Sequence, residues 1–298
     1  MTPRLPPRLL RLPPRLLRLH VSHLRLPADP RWLQIAFLSL FLALGLGARD
    51  FPFWHAPLIF TAALATQTLA VRVLRLPDVG WLSPVITSFG LTLLLRTDAL
   101  WIPPLAAFCA IASKFALRWR GRHLFNPANF GLCAAMLLSG HAWCSPAQWG
   151  ESAAVLLWFA ALGLAVSHRA FRSDVSLAFL AAFVALRLQR VLLLGQRLPV
   201  LEHQLASGSL LLFAFFMISD PKTTPRSRAG RLVLACAVAG LAHALQFVWF
   251  VRNPAVWALF VCAPLSPLID LLVTRVQDAF GRLKEEPCKP SAATPHLV

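Results

Sequence analysis

Ten apolar runs, separated by arginines, prolines and short polar strings, set what this 298-residue chain can fold into. They fall at about 31–48, 57–74, 79–95, 98–113 and 127–141, then at about 151–168, 174–194, 205–218, 229–250 and 254–273. A helix needs roughly 20 apolar residues to cross a bilayer, and in lipid its backbone must satisfy its own hydrogen bonds. The expectation is an all-α polytopic membrane protein with about ten transmembrane helices. Composition points the same way: 57% of residues are hydrophobic and only 14% are charged. A soluble fold of this length would leave large apolar patches in water, and a disordered chain would be far more polar. The runs at 98–113, 127–141 and 205–218 are short, and are expected to be broken, re-entrant or shielded by neighbours.

Lys and Arg number 29 against 12 Asp and Glu, a net charge of +17. On a soluble domain that excess would suggest nucleic acid. Here the basic residues lie between the apolar runs, so they read as topology, with Lys and Arg held on the cytoplasmic side. Counting them places both termini in the cytoplasm and predicts no nucleic-acid partner. The domain reading follows: a basic Pro/Arg/Leu-rich cytoplasmic tail over 1–30, a ten-helix membrane domain over 31–273, and a short polar cytoplasmic tail over 274–298. The first tail repeats Leu-Pro-Pro-Arg-Leu-Leu-Arg at 5–11 and 12–18, a pattern too rich in proline for a continuous helix. It suits contact with anionic lipid, but a replication-slippage tract or a misplaced start codon is the preferred reading. Five spans followed by five suggest two halves of inverted topology. The six cysteines form no CxxC pair, so no metal or iron–sulfur site is expected.

Two stretches hold polar, Gly and Pro residues against the membrane. In residues 113–132, SKFALRWRGRHLFNPANFGL, Asn126 before Pro127 is a helix start with Asn as cap and Pro at the first position. Its free N–H groups beside Arg120, Arg122 and His123 suit an anion. The competing reading is a capped helix with arginines reaching lipid phosphates. In residues 217–231, MISDPKTTPRSRAGR, Asp220 could serve an ion or proton, with Lys222 to neutralise it, or simply close an Asx-type turn.

Both stretches closely resemble the signature loops of the RnfD component of the Rnf electron-transport complex and of its relative NqrB, from the sodium-translocating NADH:quinone reductase. A third likeness is Trp81-Leu82-Ser83-Pro84-Val85-Ile86-Thr87-Ser88, where that family has a similar Ser- and Thr-containing approach to a helix. The resemblance implies a urea-transporter-like fold in a bacterial inner membrane. It also implies a role in coupling electron transfer through flavin or quinone to Na⁺ or H⁺ movement. By the same likeness, Arg122, His123, Asn126, Asn129, Thr223 and Thr224 are candidate cofactor residues, and Asp220 and Lys222 candidate ion-path or loop residues. Partners would be other Rnf-type subunits, or a flavin or iron–sulfur redox protein, together with membrane lipid. The family's covalent FMN threonine, in a Ser-Gly-Ala-Thr stretch, has no counterpart: the nearest string is Ser139-Gly140-His141-Ala142. Any FMN is therefore expected to be non-covalent.

Ionisable residues inside spans are functional candidates. Arg187 and Arg190 share a helix face, as do His243 and Gln246, and Asp270 is placed to pair with Arg275. No acid falls at mid-membrane, so an ion path would draw on hydroxyls such as Thr66, Thr87, Ser88 or Thr92, or on a partner's acid. Two further functions fit the residues: a solute or ion permease on the same scaffold, and a non-catalytic anchor for a redox partner.

Overall fold

The structure, a computed structural model, describes residues 29–47, 52–77, 80–145 and 153–285. Every apolar run carries helix. The first half comprises α1 (Pro30–Gly47), α2 (His55–Val73), α3 (Leu82–Leu94), α4 (Ile102–Ala116) and α5 (Pro127–Ser139). The second comprises α6 (Ala153–Arg169), α7 (Ser173–Leu194), α8 (Leu198–Leu205), α9 (Gly208–Leu212) running into a π-helical turn (Phe213–Met217), α10 (Arg228–Phe247), α11 (Pro254–Cys262) and α12 (Ser266–Glu285). Two short antiparallel pairs complete the described structure: β1 (Leu95–Thr97) with β4 (Ala142–Cys144), and β2 (Arg118–Trp119) with β3 (Arg122–His123).

The chain is thus an all-α membrane protein. Among the described residues, four stretches are long and apolar enough to cross a bilayer: α2, α7, α10 and Pro254–Val276. A fifth arises if α8 and the α9–π segment, bent by 51°, count as one span. That bend falls in the 205–218 run, where a break is expected; α4 and α5 are instead short continuous helices. Helix α12 runs on past residue 274, where the polar tail is expected to begin, as far as Glu285. Loss of apolar character there does not end the helix; the segment is rich in Lys, Arg, Glu and Gln, which propagate helix well in water.

Small residues bring these helices together. Ala106, Ala107 and Ala110 of α4 and Ala135 of α5 are wholly buried. Between helices in lipid, close van der Waals packing replaces the hydrophobic drive of soluble cores. At Gly131 of α5 an added Cβ would lie 2.6 Å from the Ala106 carbonyl oxygen and 2.8 Å from the Ala110 Cβ.

Four pairings recur in the two halves. Helix α1 packs on α3 as α6 packs on the α9–π segment, and α2 packs on α3 as α7 packs on the π turn. Likewise α2 packs on α4 as α7 on α10, and α4 on α5 as α10 on α11. Equivalent helices then meet across the halves, α1 with α6 and α5 with α11. Phe41 of α1 stacks on Phe159 of α6 at 3.6 Å, and Phe37 lies 5.3 Å from Phe216 of the π turn. Asn129 Nδ2 of α5 donates to the Val256 carbonyl of α11 at 2.9 Å. The fifth helix of each half begins on the same three residues, Asn126-Pro127-Ala128 and Asn253-Pro254-Ala255.

Gly131→Ala is expected to lower the thermal midpoint of the detergent-solubilised protein, at a cost of about 1–3 kcal/mol, because the clash is with backbone. Gly240→Ala in α10, where an added Cβ meets nothing within 4 Å, should be neutral or stabilise by up to about 1 kcal/mol. Equal effects at the two sites would contradict the close α4–α5 packing.

Candidate functional site

The polar residues of the two signature stretches converge at one end of the bundle, here termed the loop face. Asn126 caps α5 as its sequence suggests: its Oδ1 accepts from the Asn129 backbone N–H at 3.1 Å. Its Nδ2 reaches the other half, donating to the Met217 carbonyl at 3.3 Å and to Asp220 Oδ2 at 3.5 Å. Asp220 closes an Asx turn, its Oδ1 accepting from the Lys222 N–H at 2.9 Å. Its carbonyl accepts from the backbone N–H groups of Thr223 and Thr224. The structure therefore bears out the turn reading of Asp220.

Arg122 does more than line a surface. Its guanidinium donates to the carbonyl oxygens of Pro221 (3.3 Å) and Thr224, and pairs with Asp270 of α12 at 3.4 Å. Asp270 also accepts from the Arg226 N–H at 2.8 Å. The expected Asp270–Arg275 pair gives way to these contacts, since a loop carrying backbone donors and a guanidinium satisfies both carboxylate oxygens. Arg172 Nε donates to the Thr224 hydroxyl at 3.2 Å, and Arg231 grips Asp174 at 2.5–3.0 Å. These loops are locked by charge-assisted bonds of the stronger kind.

Electrostatics here follow burial. Burial holds the Asp220 carboxyl above the ordinary carboxylate range, opposed by the Lys222 N–H bond and by the charges of Lys222, Lys114 and Arg122. Burial, with Lys222, Lys114 and Arg118, pushes His123 down to about 4, so its imidazole is neutral at pH 7. Lys114 is buried and donates to Gln67 Oε1 at 3.0 Å.

Two cavities open around this network. One, of about 400 Å³, lies among Arg120, Arg122, Lys222, Arg226 and Arg275, with Asp270 as its one carboxylate among the described residues. The exposed Trp119 ring stands at its edge. The second, of about 190 Å³, runs inward between the halves from His123, Asn126, Asp220 and Lys222, past Thr87 and Gly90, to Leu94 and Met217. A third cavity, of about 280 Å³, opens from the other end, the far face, past Asn253, Pro254 and Arg187. Leu94 and Met217 line both the second and third cavities, so buried apolar side chains stand where the two approach each other. An Asn-Pro-Ala helix start borders each.

Of the predicted site residues, Arg122, His123, Lys222 and Thr223 line the loop-face cavity, and His123, Asn126, Asp220 and Lys222 the inward one. Asn129 and Thr224 are buried and hold the scaffold. Thr66, Thr87, Ser88 and Thr92 each donate to a carbonyl one turn back in their own helices, leaving only lone pairs to offer an ion. Ser139-Gly140-His141-Ala142 ends α5 on Gly140, whose positive φ of 66° suits glycine. The loop after it, at 146–150, lies outside the described residues, as do the repeat at 5–18 and Cys288. No group of three metal-ligating side chains occurs among the described residues. Asn253-Pro254-Ala255 is a functional candidate that the local sequence signals miss, although its likeness to residues 126–128 is legible.

Residues 134–278 match the NQR2, RnfD, RnfE family. The 217–231 loop falls inside that stretch and the 113–132 loop ahead of it. Over 160 residues the chain is 30% identical to the D-type subunit of the ion-translocating oxidoreductase complex of Stutzerimonas stutzeri, covering 50% of this chain and 44% of that protein. The protein of the same description from Escherichia coli K12 is 29% identical over 140 residues, covering 45% of this chain and 36% of the relative. That from Tolumonas auensis is 36% identical over 69 residues, 23% of this chain and 20% of the relative. The chain spans less than half the length of these curated relatives.

The sign of the Asp220 shift gives a prediction. A carboxyl whose folded pKa lies above its unfolded value contributes stability below the unfolded pKa, and loses it as pH rises through the folded one. Asp220→Asn keeps an acceptor for the Lys222 N–H and should flatten that fall in a plot of thermal midpoint against pH. An unchanged slope would mean that Asp220 is ionised without cost.

Proposed function

We propose that this chain, an NQR2, RnfD, RnfE family sequence over residues 134–278, is the membrane subunit of an ion-translocating oxidoreductase complex. Its ten helical segments then cross or enter a bacterial inner membrane as two inverted five-helix halves, with the loop face and both termini in the cytoplasm. The observation that carries the reading is the basic face itself. Arg120, Lys222, Arg226 and Arg275 ring a cavity beside the family-like loops, where positive charge steers an acidic redox partner.

The same cavity suits the anionic end of a flavin mononucleotide. Arg120, Lys222 and Arg226 would face its phosphate, Thr223 would offer a hydroxyl, and Trp119 an aromatic face. Arg122 contributes by holding the loop in shape. Bound FMN supplies one- and two-electron transfer. Attachment would be non-covalent, since Ser139-Gly140-His141-Ala142 offers no hydroxyl at the acceptor position. A quinone would find its apolar surroundings in the inward cavity.

A permease reading draws on a different observation. Two cavities enter from opposite ends, each bordered by an Asn-Pro-Ala helix start, and both are lined by Leu94 and Met217. This is the arrangement expected of a two-sided path with an apolar barrier, and alternating access in inverted repeats works around such a centre.

Mild extraction from the native membrane tests the first reading. The chain should bring with it redox subunits and a flavin spectrum that bleaches on reduction. Arg120→Glu with Arg226→Glu should lose those partners while the chain remains in the membrane, because the backbone contacts of Arg122 are untouched. Isolation as a colourless single chain, without redox partners, would overturn the complex-subunit reading and favour the permease.

A further inference from the structure

Arg187, on α7, is 3% exposed and lines the far-face cavity. Its Nη2 donates to Gln246 Oε1 of α10 at 2.5 Å. Its Nε and Nη1 are buried with no acceptor. The guanidinium lies 4.5 Å from the Phe183 ring and 4.6 Å from the Phe247 ring. Ring faces and one amide oxygen offset only part of the cost of taking a full charge out of water, and a buried ion without a counter-charge is strongly unfavourable.

The neighbouring Arg190 adds positive charge rather than cancelling it. Arg190 stacks on Phe247 at 3.6 Å and binds Gln196. His243 packs on the same ring, and His203 lines the cavity. No Asp or Glu lines it among the described residues. Glu202 of α8, next to His203 in sequence, is exposed. The N-terminus of α11, at Asn253-Pro254-Ala255, borders the same space and presents the positive end of its dipole. Ser207 and Ser209 add hydroxyls to the wall.

We propose that the far-face cavity is a binding site for a small oxyanion, a carboxylate or an inorganic anion of similar size, held by Arg187. The anion supplies the missing counter-charge and accepts from Nε and Nη1. Gln246 positions the guanidinium, and the stacked rings keep it from swinging to the surface. A cavity of about 280 Å³ admits such an ion with water. The site repels cations, so a Na⁺ or H⁺ path through this end of the chain would need an acid from elsewhere. The inference stands whether or not the chain works in a redox complex.

Equilibrium binding of radiolabelled formate to the purified full chain in lipid nanodiscs tests it. Saturable binding of about one formate per chain is expected, displaced by nitrate and not by formamide, the neutral isostere. Arg187→Gln should weaken binding at least tenfold. Arg72→Gln, at an exposed position of α2 away from the cavity wall, should bind like the wild type. Absence of saturable binding in the wild type, displacement by formamide as readily as by nitrate, or unchanged affinity in Arg187→Gln would each overturn the proposal. The displacement experiment uses wild-type protein alone, so it decides even if Arg187→Gln fails to fold.

Discussion

The guanidinium of Arg122 ties the loop face together. It joins the β2–β3 turn of the first half to the 219–227 loop and to α12 of the second, through two carbonyls and the carboxylate of Asp270. Lysine could not replace it, because one ammonium cannot spread donors over three acceptors in a plane. Around this tie the Asx turn at Asp220, the Asn126 cap and the Arg231–Asp174 pair each fix one more segment. These bonds frame the mouths of the two cavities at this face, and the inward one continues between apolar side chains such as Ile86, Leu94 and Phe215.

The ends of the bundle differ electrostatically. At the loop face a half-buried carboxylate, Asp220, sits among Lys222, Lys114 and Arg122. At the far face a buried guanidinium, Arg187, has no carboxylate beside it among the described residues. Between them Leu94 and Met217 are almost wholly buried. A charged solute moving from one cavity to the other would have to cross that apolar barrier, so passage requires either a conformational change or a path elsewhere.

What is legible in the sequence and what is not divides along the distance between partners. The ten apolar runs are helical because hydrophobic length and backbone satisfaction are local properties. The Asn126 cap is legible for the same reason, since its acceptor and donor lie three residues apart. The Asx turn at Asp220 is one of two readings the sequence allows, and it spans two residues. Arg122 and Asp270, 148 residues apart, carry no local signature, and the nearby Arg275 is a misleading choice of partner. Arg187 and Arg190 do lie on one face, but aromatic rings and amides, rather than carboxylates, are their company. The end of α12 is hidden because polarity resembles loss of helix. The second Asn-Pro-Ala is legible by its likeness to the first, but nothing local tells which cavity its helix start borders.

If Arg122 joins the two halves energetically at the loop face, its bonds cannot act independently of Asp270. The most direct test is a double-mutant cycle, with Arg122→Gln and Asp270→Asn made singly and together and the stability of the detergent-solubilised chain measured for each. Non-additive losses are expected, with a coupling of about 1–3 kcal/mol. Additive losses would mean that the pair is an incidental surface contact and that the loops are held by something else.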